Sequence, residues 1–120
     1  MEHTSAVTAL GALAHEHRLA VVRLLLEHAP TGLPAGTIGD RLGLAPATLS
    51  FHLKELARTG LVGVRPEGRF IWYRANLATM NGLVAYLTEN CCRTQAAAVC
   101  CAPMTPKPRI VARTRQENLA

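Results

Sequence analysis

No run of eighteen uninterrupted apolar residues occurs in this chain, because Arg18, Arg23 and Glu27 break even its richest stretch, and that length is what a membrane-spanning helix needs. A cationic stretch ahead of an apolar core is missing as well: the opening MEHTSAVTALGALAHEHR carries Glu2 instead. It does not read as a secretory signal, so a cytoplasmic location is expected. Internal repeats are absent, and acidic residues are scarce. Eight Asp and Glu stand against thirteen Lys and Arg, a net charge of +5, which favours an anionic partner without naming one. Hydrophobic residues are 49% of the 120, enough for a core and too many for wholesale disorder. The length suits one domain.

The patterning that is present is mostly helical. Val7, Leu10 and Ala14 recur at three- to four-residue spacing, and Leu19, Val22 and Leu26 continue that rhythm up to Pro30, predicting two helices. Thr31 to Pro34 reads as a turn. Ile38 and Leu42 then mark one face of a short helix ended by Gly43. From Pro46 to about Thr59 a longer helix is predicted, with Leu49, Leu53 and Leu56 on one face, proline in the first turn where no helical bond is lost, and Gly60 as terminator. The runs LVGVR and RFIWYR are rich in β-branched and aromatic residues. They flank Arg65-Pro66-Glu67-Gly68, which suits a type I turn and hence a hairpin. Leu77, Met80, Leu83, Val84 and Leu87 form a last helical stripe ending near Glu89 or Asn90. Beyond Ala102 the prolines and cations make a tail that packs poorly and is expected to be mobile. The expected division is a domain over 1–90 and a cysteine-containing basic segment over 91–120.

This order of elements defines a mainly α (α+β) fold, a winged helix-turn-helix with a two-stranded wing. Gly39 leaves room for two helices to cross closely, Gly43 suits the positive φ of the turn between them, and Ile38, Leu42, Leu49 and Leu53 share one buried face. Burying the leucines turns Thr48, Ser50, Phe51, Lys54 and Arg58 outward, as a recognition helix presents its side chains to DNA. The hydroxyls can bond bases or phosphates, Phe51 can press on a thymine methyl, and Lys54 and Arg58 can neutralise phosphate. Arg65 and Arg69 at the hairpin are placed to reach backbone or minor groove.

Over roughly Leu10 to Leu87 the chain resembles the ArsR/SmtB repressors. The resemblance rests on Leu44-Ala45-Pro46-Ala47-Thr48-Leu49-Ser50-Phe51-His52-Leu53-Lys54-Glu55-Leu56, on Gly60-Leu61-Val62, on Glu67-Gly68-Arg69 before Trp72-Tyr73-Arg74, and on His17-Arg18-Leu19 with Leu24-Leu25. It implies a homodimer joined through its first and last helices, seated on a double-stranded DNA operator of two-fold symmetry and released by a metal or metalloid. Val7, Leu10, Leu83 and Leu87 supply apolar surface either for that seam or for the chain's own core. Two departures stand out: Ala45 and Phe51 replace the family's frequent Ser and His, which weakens the helix cap and alters base preference. His52 matches the motif, yet its place beside Leu49 and Leu53 makes it a structural histidine.

Four cysteines form two adjacent pairs, Cys91-Cys92 and Cys100-Cys101. In a reducing compartment such thiols serve metals or redox chemistry more often than cross-links. The family's cysteine-pair site near the first helix of the helix-turn-helix is excluded, since Thr31 to Ile38 holds no cysteine. Its zinc site on the last helix is excluded too, since that helix lacks the Asp and His pairs. All-sulfur ligation without histidine favours a soft acceptor; trivalent arsenic as arsenite, or antimonite, takes three sulfurs, and a methylated arsenical takes two. Cys91 and Cys92 would give two bonds and Cys100 or Cys101 the third, a disposition that resembles arsenite-responsive members of the family. Thiol oxidation, or cadmium or zinc, is the alternative trigger. An enzyme such as an arsenate reductase is not expected: neither C-x-x-C nor a cysteine-led anion loop ending in arginine is present.

Overall fold

Helix α1 (His3–Leu13) leads into α2 (Glu16–Glu27), the two-residue strand β1 (Leu33–Pro34), α3 (Ala35–Leu42), α4 (Pro46–Arg58), the hairpin β2 (Val62–Glu67) and β3 (Phe70–Ala75), and α5 (Leu77–Thr88). This is a computed structural model, and it describes residues 1–91. Met1–Leu87 make up one compact unit. The expected boundary near residue 90 falls at the edge of the described residues, and the segment after Cys91 lies outside them.

The turn between α3 and α4 follows from its residue types. Gly43 adopts the left-handed conformation, φ +66°, at the end of α3, where a side chain would be strained. A Cβ on Gly39 would come within 3.2 Å of the Leu44 carbonyl oxygen and 3.4 Å of Leu49 Cδ2, so the hydrogen side chain permits the close crossing of the two helices. Pro46 opens α4, preceded by Ala45, which offers no side-chain cap. The missing cap is the weakness that the replacement of serine by alanine predicts.

The core gathers Val21, Val22, Leu24 and Leu25 of α2, Ile38 of α3, Leu49, Leu53 and Leu56 of α4, then Leu61, Val62 and Ala75. Three alanines, Ala6, Ala9 and Ala12, form the buried face of α1. Full burial of each leucine contributes about 1.5–3 kcal/mol, so the seam of α4 is a large share of what holds the unit together. Leu83 of α5 is buried in this same core, whereas Val7, Leu10 and Leu87 remain exposed. Of the four apolar side chains considered for a dimer seam, Leu83 thus belongs to its own chain.

Two turns differ from the sequence expectation. The second half of the predicted turn Thr31–Pro34 is a strand: Leu33 pairs with Tyr73 and Pro34 with Trp72, so the wing hairpin sits in a three-stranded antiparallel sheet of order β1-β3-β2. Gly32 makes this possible, with φ +86° and a position where a Cβ would collide with the Tyr73 carbonyl oxygen. The hairpin turn also lies later than predicted. Glu67 pairs with Phe70 and Pro66 with Ile71, leaving Gly68 and Arg69 as a two-residue loop with Gly68 at φ +62°. Positive φ at the first loop residue is the type II′ pattern, whose twist matches that of paired strands, whereas a type I turn splays them. Pro66 is tolerated within β2 because β2 is an edge strand.

Leu53→Ala is expected to lower the unfolding free energy by about 2–5 kcal/mol, read from urea denaturation followed by circular dichroism. A loss below about 1 kcal/mol would show that the α4 seam does not carry the core.

Candidate nucleic-acid interface

Helix α4 is buried on one side only. Leu49, His52, Leu53 and Leu56 face inward, and at 3.6 residues per turn this leaves Thr48, Ser50, Phe51, Lys54 and Arg58 on the outer side. All five are exposed. Phe51 shows 59% of its surface to solvent, with its ring edge-on to that of His52, centroids 5.6 Å apart. The Arg58 Nη2 donates to Glu55 Oε1 at 2.9 Å, and this hydrogen bond holds the Glu55 carboxyl below its ordinary pKa. Such exposed pairs are weak enough to open for a phosphate.

His52 has another task. It is buried, its Nδ1 lies 3.4 Å from Arg18 Nη1, and its ring centroid is 4.6 Å from that of His15 and 5.6 Å from that of His17. The Arg18 Nε in turn donates to the Ala12 carbonyl at 2.7 Å, so one guanidinium ties the α1–α2 corner to the recognition helix. The His15 ring also accepts from the His17 backbone N–H at 3.2 Å, capping α2. Burial, then the positive neighbours His15, Arg18 and His17, push the His52 pKa below its ordinary value of 6.5. The structure therefore selects the neutral ring, which can accept a hydrogen bond from Arg18.

The wing arginines differ from each other. Arg69 is exposed in the turn. The Arg65 guanidinium lies over Trp72, 5.3 Å from the ring centroid, with Nη2 3.4 Å from Glu67 Oε1. Arg65 thus spends much of its reach stiffening the hairpin. Of the cysteines, Cys91 is exposed just past α5, its N–H donating to the Thr88 carbonyl at 3.0 Å, after Asn90 at φ +67°. Cys92, Cys100 and Cys101 lie outside the described residues. Among the described residues no three His, Cys, Asp or Glu side chains are grouped to hold a metal ion, and no helix is long and apolar enough to cross a membrane.

An outward polar face on a second helix, a tight glycine turn and a hairpin with an exposed arginine define a winged helix-turn-helix regulator. Comparison with known proteins agrees. A helix-turn-helix domain family matches residues 13–65. The transcriptional activator HlyU of Vibrio cholerae is 34% identical over 95 residues, covering 78% of this chain and 85% of HlyU. A HlyU structure superposes with a TM-score of 0.61 at 33% identity, covering 74% of this chain and 96% of that one; a structure of reduced HlyU gives 0.58 at 32% identity, with 72% and 87% covered. An ArsR-like transcriptional regulator from Rhodococcus sp. RHA1 has a TM-score of 0.64 at 26% identity, over 72% of this chain and 79% of that chain. A homodimeric winged helix-turn-helix DNA-binding domain from Mycobacterium bovis, described as a possible ArsR-family regulator, has 0.59 at 26% identity, over 72% and 81%. The chain belongs to the ArsR-like family of winged helix-turn-helix transcriptional regulators, and the relatives named are regulators, not enzymes.

The neutral His52 has a measurable consequence. An unfolded histidine takes a proton near 6.5, while the folded one takes it only at lower pH. Between those values the unfolded state binds more protons, so stability rises with pH there and is lost on acidification. The urea midpoint is expected to fall as pH drops from about 7.5 to about 5, and to fall less in His52→Gln. Equal slopes in the two proteins would refute the assignment.

Proposed function

We propose that this chain is a homodimeric, thiol-controlled repressor. It reads a two-fold double-stranded operator through Thr48, Ser50 and Phe51, with Lys54 and Arg58 toward phosphates and Arg65 and Arg69 toward backbone or minor groove, and it leaves DNA when trivalent arsenic binds its carboxy-terminal cysteines. The observation that carries the DNA reading is the outer face of α4, where five side chains of the right chemistry stand exposed over a buried leucine seam. Exposed Val7 and Leu10 on α1 and Val84 and Leu87 on α5 support a seam through the first and last helices, as does the homodimeric relative. The HlyU relative is a transcriptional activator; a regulator on DNA can raise or lower transcription, and release from DNA by a bound metalloid makes this chain a repressor.

For the trigger, the support is chemical. Cys91 is exposed immediately past α5 and adjoins Cys92, with Cys100-Cys101 after a short Ala-rich run. Two adjacent thiolates and a third from the second pair fit a pyramidal trivalent arsenic. Ligation at the end of α5 would shift a helix of the dimer seam and so the spacing of two recognition helices that must match half-sites about 34 Å apart. A coupling of about 1–3 kcal/mol loosens DNA by about 5- to 150-fold. A second reading, oxidation of the same thiols, is favoured by the structural relative described in its reduced form.

Fluorescence anisotropy with a duplex from upstream of the chain's own gene separates these readings. Arsenite is expected to release the wild type by that factor and to leave a variant with all four cysteines changed to serine bound. Release by peroxide but not by arsenite would install the second reading. Release of the all-serine variant by arsenite would contradict thiol control by either agent.

A further inference from the structure

The wing keeps a large ring in water. Phe70 is 63% exposed, the most exposed large apolar side chain among the described residues, and it sits directly after Arg69 at the tip. Strand register separates it from the other exposed apolar residues of the wing. Opposite residues share a face, so Phe70 lies with Glu67, Arg65 and Trp72, while Ile71 and Val64 lie on the other face with Val62 and Ala75. Val62 and Ala75 are buried, which makes the second face the one that packs on the helices; Val64 and Ile71 are its overhang. Phe70 stands on the outer face, where none of the described residues buries it. Behind it the Arg65–Trp72 stack, closed by the pair to Glu67, gives the tip a stiff base.

The charges around the ring select the occupant. Arg69 beside it, with Arg65 and Arg74 on the same face, outnumber Glu67 and draw a polyanion, and β2 packs on α4, so the hairpin starts beside the recognition helix. The minor groove next to a helix lying in the major groove is the site such a tip meets, and apolar side chains there press on sugars or wedge between bases at flexible steps. We propose that Phe70 is a second, apolar DNA contact, seated in the minor groove with Arg69 on the flanking phosphates. It selects operators that carry a flexible pyrimidine–purine step beneath the wing. The proposal rests on the DNA reading above.

Anisotropy titrations of the full chain over a salt series, with Phe70→Ala, Ile71→Ala and Arg69→Ala, test it. Loss of a stacking contact corresponds to about 5- to 150-fold in affinity. Phe70→Ala is expected to weaken binding by that factor with the salt slope unchanged, because no charge is removed. Arg69→Ala should flatten the slope, and Ile71→Ala should stay within about twofold of the wild type. Duplexes with 2-aminopurine at pyrimidine–purine steps outside the major-groove site should brighten on binding the wild type and not Phe70→Ala. Wild-type affinity in Phe70→Ala overturns the proposal. So do equal losses in Phe70→Ala and Ile71→Ala, which would report a destabilised wing, and a shift from dimer to monomer in light scattering of Phe70→Ala, which would report a protein interface. If the wild type itself shows no salt-dependent duplex binding, the DNA reading has failed instead.

Discussion

The burial of one seam of α4 decides most of what this molecule presents to its surroundings. Leu49, Leu53 and Leu56 are almost fully removed from water against α2, α3 and Leu61. Hydrophobic burial has no direction of its own, but helical geometry gives it one. Once three leucines at i, i+4 and i+7 are inside, the rotation of the helix is set to within a fraction of a turn, and the residues between them must face out. The recognition surface is in this sense a by-product of the core. A helix without that seam would carry the same polar residues and present them in no fixed direction.

A second constraint sets where the helix sits along its neighbours. Arg18 reaches from α2 to the Ala12 carbonyl and to His52, joining three helices through one side chain. Burial and the guanidinium charge make a proton on His52 costly, so the site works as a joint only while His52 is neutral. The same cationic crowding argues against a metal there, since a divalent ion would have to displace Arg18 from the nitrogen it faces. The wing uses a comparable device at its own scale, with Arg65 folded over Trp72.

Helices were legible in the sequence because their signals are long and redundant. Pro46, three spaced leucines and Gly60 all point to one helix, and the outward face follows from the inward one. The turn chemistry at Gly39 and Gly43 was legible for the same reason: a close crossing at Gly39 and a positive φ at Gly43 agree with the leucine seam on a single arrangement. The wing was less so. Arg65-Pro66-Glu67-Gly68 satisfies a type I pattern in isolation, but strand twist favours the later loop at Gly68-Arg69, and pairing energy is not visible in four residues. Strand β1 has only two residues, too few for any alternation to register. The environment of Arg65 was hidden as well, because stacking on Trp72 depends on cross-strand register. The meeting of His15 and His17 with His52 gave no signal, since it joins residues more than thirty positions apart.

The cysteine pairs stand at the opposite extreme: conspicuous in sequence, and with only Cys91 among the described residues. In the proposed function, their position after α5 and the exposed apolar side chains of α1 and α5 would tie control to assembly, whereas the proposed surface for DNA stands on the α4 seam. The most direct check of that surface is a titration of isotope-labelled protein with an operator duplex, followed by nuclear magnetic resonance of backbone amides. The account predicts the largest shifts at Thr48 to Lys54 and at the Gly68-Arg69 turn, with the buried side of α2 unmoved. Shifts confined to α1 and α5, with α4 silent, would contradict it.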